Sequence, residues 1–593
     1  MNRPSLFLSL ARRGSIDSER ELQMNLSLLD WTIILLYMIA SLLIGLYFTK
    51  RASSSMSEFF ISGRNLPWWL AGTSMVATSF SADTPLYVTG LVRQHGIYEN
   101  WQWWCFILSG MMSVFFFARL WRRLGVLTDV ELITIRYSGR SASMLRGFKA
   151  IYFSAVIHTI IKAQIILAMA KILDVSMGWG KWESILAASS VTLAYAMLSG
   201  YWGVVTTDFF QFIIAMIGAI VLAAASVNSV GGISVMKTHL DQRALGFFPP
   251  LDEGFFGMAC MTFLGYIGLS WWSKYSSDGG GVIVQRMSSC RDEKQSLYAT
   301  LYFNVANYAL RTWPWVLAAL ASLVLYPQVE DHEAVYPQMM VNLLPSGLRG
   351  LMLASFFAAF MSSLSTYLNL SSAYFVNDFY RPFLKKVAPE RHYVNVARLS
   401  TLVLSLLTAV ITYYTTSIVG VFKFLIAFGS GTGLVYIMRW FWWRINAWSE
   451  ISAMLASTLL TILAYTHSSL SDAPYYIKLI MIIGGSTAVW LLVTYLTKPT
   501  EERKLIEFFR KTSPGGGGWR PIEKLLDEPK NGSNLDDALK GWLWGCIFII
   551  GLTIGSGKLI LGYYLSGSLW LLGALAGGLV IYRRLAEGKS ILG

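Results

Sequence analysis

Apolar runs of membrane-spanning length recur in this chain from about residue 29 to about residue 583, and no other feature restricts its folding as much. About fifteen of them can cross roughly 30 Å of hydrocarbon. Inside a bilayer, backbone polar groups must be satisfied within the protein, which leaves helices or a closed barrel. Runs this long and continuous predict helices, at 29–49, 67–91, 101–123, 147–173, 182–199, 204–228, 255–275 and 298–326. Further spans are expected at 345–378, 393–415, 419–439, 449–467, 474–496, 541–563 and 566–583. The expected class is an all-α polytopic membrane protein with about 13–15 transmembrane helices. Composition agrees: 54% of the 593 residues are hydrophobic and 14% are charged. Soluble proteins carry about 25% charged residues, so several soluble domains of this total length are excluded.

The formal charge of +14 comes from 48 Lys and Arg against 34 Asp and Glu. In a soluble protein that excess points to nucleic acid. Here the basic residues fall between apolar runs, so topology explains them and no nucleic-acid partner is expected. Lys50, Arg51 and Arg64 follow the first span, and Arg119, Arg122, Arg123, Arg136, Arg140, Arg146 and Lys149 follow the third. Arg286, Arg291 and Lys294 follow the seventh, and Arg381, Lys385, Lys386 and Arg391 the ninth. The loop 327–349 is acidic, with Glu330, Asp331 and Glu333. The positive-inside rule puts the basic loops in the cytoplasm and the N-terminus outside.

Residues 1–28 read as an N-terminal extension with no cleaved signal peptide, and Met24 is a candidate initiator. The polar stretch 497–540 contains Pro514 and Gly515 to Gly518, and reads as a flexible cytoplasmic linker before a C-terminal pair of helices at 541–583. No Gly-Lys-Ser/Thr follows the glycines, which excludes a phosphate-binding loop. Cys105, Cys260, Cys290 and Cys546 are too far apart for a zinc or redox motif, and the histidines from His95 to His467 form no HxxxH pair.

Two spans carry helix breakers. The span from Pro67 reads PWWLAGTSMVATSFSADTPLYVTG, with Thr78, Ser79, Ser81, Asp83, Thr84 and Pro85 in its middle. Pro85 removes a backbone donor, so the helix is expected to break near it. Freed carbonyls and hydroxyls are hard oxygen ligands suited to an alkali cation; a Pro-kinked structural helix is the other reading of this span alone. The seventh span contains Gly257, Gly265 and Gly268, then SWWSKY and Gly279 to Gly281. Interrupted spans five apart point to an inverted five-helix repeat with a midplane site, here 67–228 and 255–439, followed by two further helices at 449–496. The ninth span adds a hydroxyl cluster, Ser355, Ser362, Ser363, Ser365, Thr366, Ser371 and Ser372, with Ala359 and Ser363 on one face. Close helix packing explains some of these small residues.

Charges inside spans are costly and usually face a cavity or a partner. Asp83 and Arg311 are expected to neutralise each other. His158 and Lys162, one turn apart, read as a satisfied or snorkelling pair.

Four segments then resemble the sodium/solute symporter family, in order and on the matching spans: FFISGRNLPWWLAGTSMVATSFSA (59–82), SGYWGVVTTDFFQF (199–212), IVQRMSSCRDEKQS (283–296) and FMSSLSTYLNLSSAYFVNDFYRPF (360–383). The resemblance covers about 29–500. It implies the leucine-transporter-like fold, a five-plus-five inverted repeat with broken first helices, and sodium-coupled symport of a small organic solute. It implies sodium ligands at Ala77, Phe80, Ala359, Ser362 and Ser363, with Asp208 near the cytoplasmic mouth assisting sodium release. It also implies solute contacts near Asp83, Thr84, Asn100, Ser270 and Arg311, with Ile426 or Ala427 at the tenth core helix and Trp271 and Trp272 as a possible gate. Thr84, Asn100, Ser270 and Arg311 differ from the sugar-binding pattern, so a sugar, an amino acid or a carboxylate all remain open. Arg311 suits a carboxylate.

Sodium is the one coupling ion expected; no other metal, no cofactor and no catalytic residue is. Proton coupling or a transporter-derived sensor are the alternatives. An enzyme would need a catalytic constellation and a channel a filter loop, and the sequence displays neither. The expected setting is a lipid bilayer, as a multi-pass cell-membrane protein of a bacterial inner membrane.

Overall fold

A computed structural model describes residues 26–52, 61–526 and 535–586. The extension before residue 26, with its Met24, lies outside them. Among the described residues every regular element is helical, apart from one bridge between Leu66 and Cys290. Eleven helices there are long and apolar enough to cross a membrane, and the pair Ile418–Gly429 and Gly433–Phe441, bent by 43°, makes up to twelve.

The other expected spans, 67–91, 255–275 and 182–199, depart from simple helices for physical reasons. Span 67–91 is Trp68–Thr78 followed by Asp83–His95. The break precedes Pro85, which sits in the first turn of the second half, where a missing N–H costs nothing. Span 255–275 is Met258–Gly265, a π-helical turn Tyr266–Ser270 and a single turn Trp271–Ser273. Lys274 is then extended, and helix resumes at Val282–Ser289. Both breaks fall on the first helix of an expected repeat.

Helical hydrogen bonding runs unbroken through 49 residues, Lys181–Ser229, where two spans, 182–199 and 204–228, are predicted. A straight helix of that length would measure about 70 Å. Its ends nevertheless meet one face. Lys181 Nζ donates to the carbonyls of Tyr413 and Thr415. Nearby, Ser417 Oγ donates to Glu333, and six residues on Ser226 Oγ reaches Met339 Sδ. The element therefore bends within its length, and no loop interrupts the Gly-rich turn.

The second break is held by a buried charge cluster. Asp278 Oδ2 accepts from Arg439 at 2.5 Å and from Trp440 Nε1 at 2.9 Å. Arg439 also pairs with Glu450, which accepts from Lys149 and from the Tyr137 hydroxyl. Gly433 crosses this break so closely that a Cβ there would lie 2.2 Å from the Ser273 carbonyl.

The described part of the expected linker, 497–526, is folded onto the helical body instead. Helix Glu502–Thr512 buries Leu505, Phe508, Phe509 and Thr512. Trp519 is fully buried, stacks on Phe508 at 5.6 Å and donates Nε1 to the Trp440 carbonyl at 2.7 Å. The Arg136 guanidinium lies 4.8 Å from the Trp519 ring and donates to the carbonyls of Arg439, Trp442 and Trp443. Burial of Trp519 offsets the entropy that the glycine run costs to order. A Cβ at Gly518 would lie 2.1 Å from the Phe441 carbonyl. Gly518→Ala is therefore expected to lift this segment. Overpacking of about 1–3 kcal/mol predicts a roughly 5- to 150-fold faster trypsin cut after Lys524. An unchanged cleavage rate would show that the segment tolerates the Cβ.

The C-terminal helices Leu535–Ile560 and Tyr564–Ala586 pack on each other through Gly551, Gly555, Gly567 and Gly577. Trp542 anchors them to the body by donating to the Leu108 carbonyl and stacking on Trp271 at 5.8 Å. Leu565, Leu569, Leu572 and Leu575 are exposed on the outer helix, as side chains facing lipid would be.

Candidate functional site

The first break meets the ninth span at Ser363. Its hydroxyl lies 3.0 Å from the Thr78 carbonyl and 3.1 Å from the Phe80 carbonyl. A serine hydroxyl has one proton, so three oxygens converge here around a single hydrogen. Such a cluster has fewer donors than acceptors. The Ala77 carbonyl is already used by the Phe80 and Ser79 amides, and Thr78 takes the place expected of it beside Phe80. Ala359 lies one turn before Ser363 on the same helix and is buried.

Ser362 points elsewhere. Its hydroxyl donates to Asp208 Oδ1 at 2.5 Å, and Ser74 donates to Asp208 Oδ2 at 2.5 Å. The Arg286 guanidinium is 3.7 Å from the same carboxylate, with both side chains fully buried. Arg286 also donates to the hydroxyls of Ser74, Thr78 and Thr366. Asp208 thus stands buried beside Ser362, held on elements from both expected repeats.

Above the oxygen cluster lies a cavity of about 330 Å³, at the small end for organic ligands. Asp83, Thr84 and Arg311 line it, as expected, and so do Thr78, Ser363 and Ile426. The expected Asp83–Arg311 ion pair is not made. Asp83 Oδ2 accepts from Gln164 Nε2 at 2.8 Å. Arg311 donates to the carbonyls of Val76, Ser79 and Asn307. The break leaves Val76 and Ser79 without helical partners, and the guanidinium fills that need first.

Asn100 and Ser270 do not reach the cavity. Asn100 donates to the Ile97 carbonyl and accepts from Trp103 Nε1, holding a tight turn. Ser270 donates to Gly265 within its own π-helical turn. Trp271 faces Trp542 and Trp272 donates to Gly268, so neither covers the cavity. Ala427 is buried, its carbonyl accepting from Thr461. His158 lies 3.1 Å from Ser371 and stacks on Tyr374, a satisfied core histidine. Lys162 is fully buried, and among the described residues no hydrogen-bond partner reaches its Nζ.

Among the cavity-lining residues that the sequence reading does not single out are Gln164, Lys274, Asn304 and Asn307. Gln164 and the asparagines are amides in otherwise apolar runs, a signal present but not used. Among the described residues no group of three or more His, Cys, Asp or Glu is placed to hold a metal ion; the oxygen cluster is built of carbonyls and a hydroxyl.

Comparison with known proteins places this geometry. Sodium/glucose cotransporter 4 of Danio rerio is 24% identical over 542 residues, covering 80% of each chain. The sodium/glucose cotransporter of Vibrio parahaemolyticus is 22% identical and covers 73% of this chain and 84% of its own. A Na+-coupled sialic acid symporter, solved in a substrate-bound outward-open state, superposes with a TM-score of 0.67 at 21% identity over 80% of this chain. The fold is thus the leucine-transporter-like five-plus-five inverted repeat with broken first helices. The profile of the Sodium:solute symporter family matches residues 59–458, from the first broken helix through the bent pair to the helix after it. With both breaks and the ninth-span hydroxyls inside that match, this chain belongs to the sodium:solute symporter family.

Proposed function

We propose that sodium binds at the junction of the first break and the ninth span, coordinated by the Thr78 and Phe80 carbonyls and the Ser363 hydroxyl. The observation that carries this is the convergence of three oxygens on one proton, 3.0 and 3.1 Å apart. For Ala77 and Ser362 to join the expected ligand set, the Ala77 carbonyl would leave the Phe80 amide and the Ser362 hydroxyl would leave Asp208; Ala359, one turn before Ser363, is the remaining member. Asp208 then receives the ion's charge on its way inward, through Ser362.

The chain is a sodium-coupled solute symporter, a multi-pass membrane protein. In our reading it works by alternating access around the cavity, whose solute is a small organic molecule such as a sugar, an amino acid or a carboxylate. One charge crossing 100 mV yields about 2.3 kcal/mol. A tenfold sodium gradient adds about 1.4 kcal/mol, and together they support about 500-fold accumulation per sodium. We place the N-terminus outside and the membrane as a bacterial inner membrane. In support, Asp30 at the start of the first span accepts from the amides of Gly347 and Gly350, beside the acidic loop. The basic loops gather at another site, where Arg122 donates to Cys290 and Arg123 pairs with Glu293.

The test is thermal stability of the purified protein in sodium against choline at equal ionic strength. Sodium-specific stabilisation is expected. No sodium effect, together with stabilisation that follows pH, would replace sodium by protons in this reading.

A further inference from the structure

We infer that the solute carries a carboxylate, bound by Lys274; this rests on the reading of the 330 Å³ cavity as the solute site. Lys274 stands where the second broken helix ends and the backbone turns extended. That position turns its side chain into the cavity wall. Its Nζ lies 4.1 Å from the centroid of the Phe106 ring. No carboxylate or carbonyl among the described residues takes a hydrogen bond from it, although an ammonium has three to give.

The charges around the cavity decide the class. Lys274 and Arg311 are cationic and Asp83 is anionic, leaving one positive charge in excess. Asp83 is engaged by Gln164. Arg311 has turned its guanidinium to the carbonyls of Val76, Ser79 and Asn307. Lys274 is therefore the cation with unspent donors. A charge at membrane depth is retained where it meets a partner or a watery cavity that delivers one. A single ammonium matches the one charge of a carboxylate; a phosphate dianion would leave an excess negative charge in a buried site. In the same lining, Trp103 stacks on Tyr308 and Tyr87 lies against Phe422, a wall for an apolar or sugar-ring body.

The test uses the purified full-length protein in sodium buffer. Melting shifts are titrated with lactate, glucuronate, N-acetylneuraminate and benzoate, and with the uncharged glucose and glycerol. Phosphate and glucose 6-phosphate serve as the phosphate arm. At least one carboxylate is expected to stabilise the protein where its uncharged counterpart does not. Lys274→Gln should weaken that binding at least about tenfold, and Lys274→Arg should retain most of it. Stabilisation by uncharged or phosphorylated compounds alone would overturn the inference, as would no response to any acid, or acid binding undiminished in Lys274→Gln. Loss of the sodium response in the wild type is a separate outcome, which strikes the sodium reading and leaves the solute titrations legible.

Discussion

Ser363→Ala is expected to raise the sodium concentration for half-maximal stabilisation by roughly 5- to 150-fold. The hydroxyl is one of three oxygens in the proposed site, and its loss also deprives the Thr78 and Phe80 carbonyls of their shared donor. A buried group left unsatisfied costs about 1–3 kcal/mol, which is the stated range in affinity. The effect should be specific to sodium, with melting in choline changed far less. Ser365→Ala is the control. Its hydroxyl bonds only to the Ser362 carbonyl one turn back in its own helix. It should stay within about twofold of wild type, as local hydroxyl deletions do when no partner is stranded. Equal sodium responses in Ser363→Ala and wild type would remove the ion from this junction.

Arg286→Met is expected to be strongly destabilising. It removes the donors to Ser74, Thr78 and Thr366 and leaves Asp208 buried without its cation. Breaking one side of a buried pair costs about 3–5 kcal/mol, most of it from the stranded charge. Asp208→Asn should be costly for the mirrored reason, while Arg286→Met combined with Asp208→Asn should cost clearly less than the sum. Thermal melting in detergent reads all three variants. Strict additivity would mean that the two groups, 3.7 Å apart, do not sense each other.

The helical class and both broken spans were legible in the sequence because bilayer physics leaves few alternatives to an apolar run. Glycine and proline inside such a run advertise where it opens. Ser363 was legible for the same reason, as a hydroxyl in a long apolar helix. The carbonyl that Ser363 reaches beside Phe80 is that of Thr78, one residue on from the expected Ala77. Which carbonyl turns inward depends on torsions inside a non-helical stretch, where side-chain periodicity gives no guide. Pairing Asp83 with Arg311 by charge alone overlooked the carbonyls that the break exposes. Asn100 and Ser270 were placed by alignment onto turns whose local hydrogen bonds consume them. Lys274 was hidden because it falls at the end of a predicted helical span, where the extended turn that aims it at the cavity leaves no periodic signal. The glycines of 515–518 were hidden the other way: they suggested slack, and Trp519 beside them ties the segment down.

The bonds from Arg311 to Val76 and Ser79 bear on the part of the cycle when nothing is carried. A symporter must reorient once per turnover with no passenger aboard. An unwound stretch held open only by its ion would then face a choice between rewinding and exposing bare carbonyls, at about 1–3 kcal/mol each. In the proposed cycle, Arg311 docked on that stretch would keep the backbone open through the unladen leg. On that reading the empty carrier would return with the proposed ion seat already shaped, and the next sodium would meet a geometry that it does not have to create.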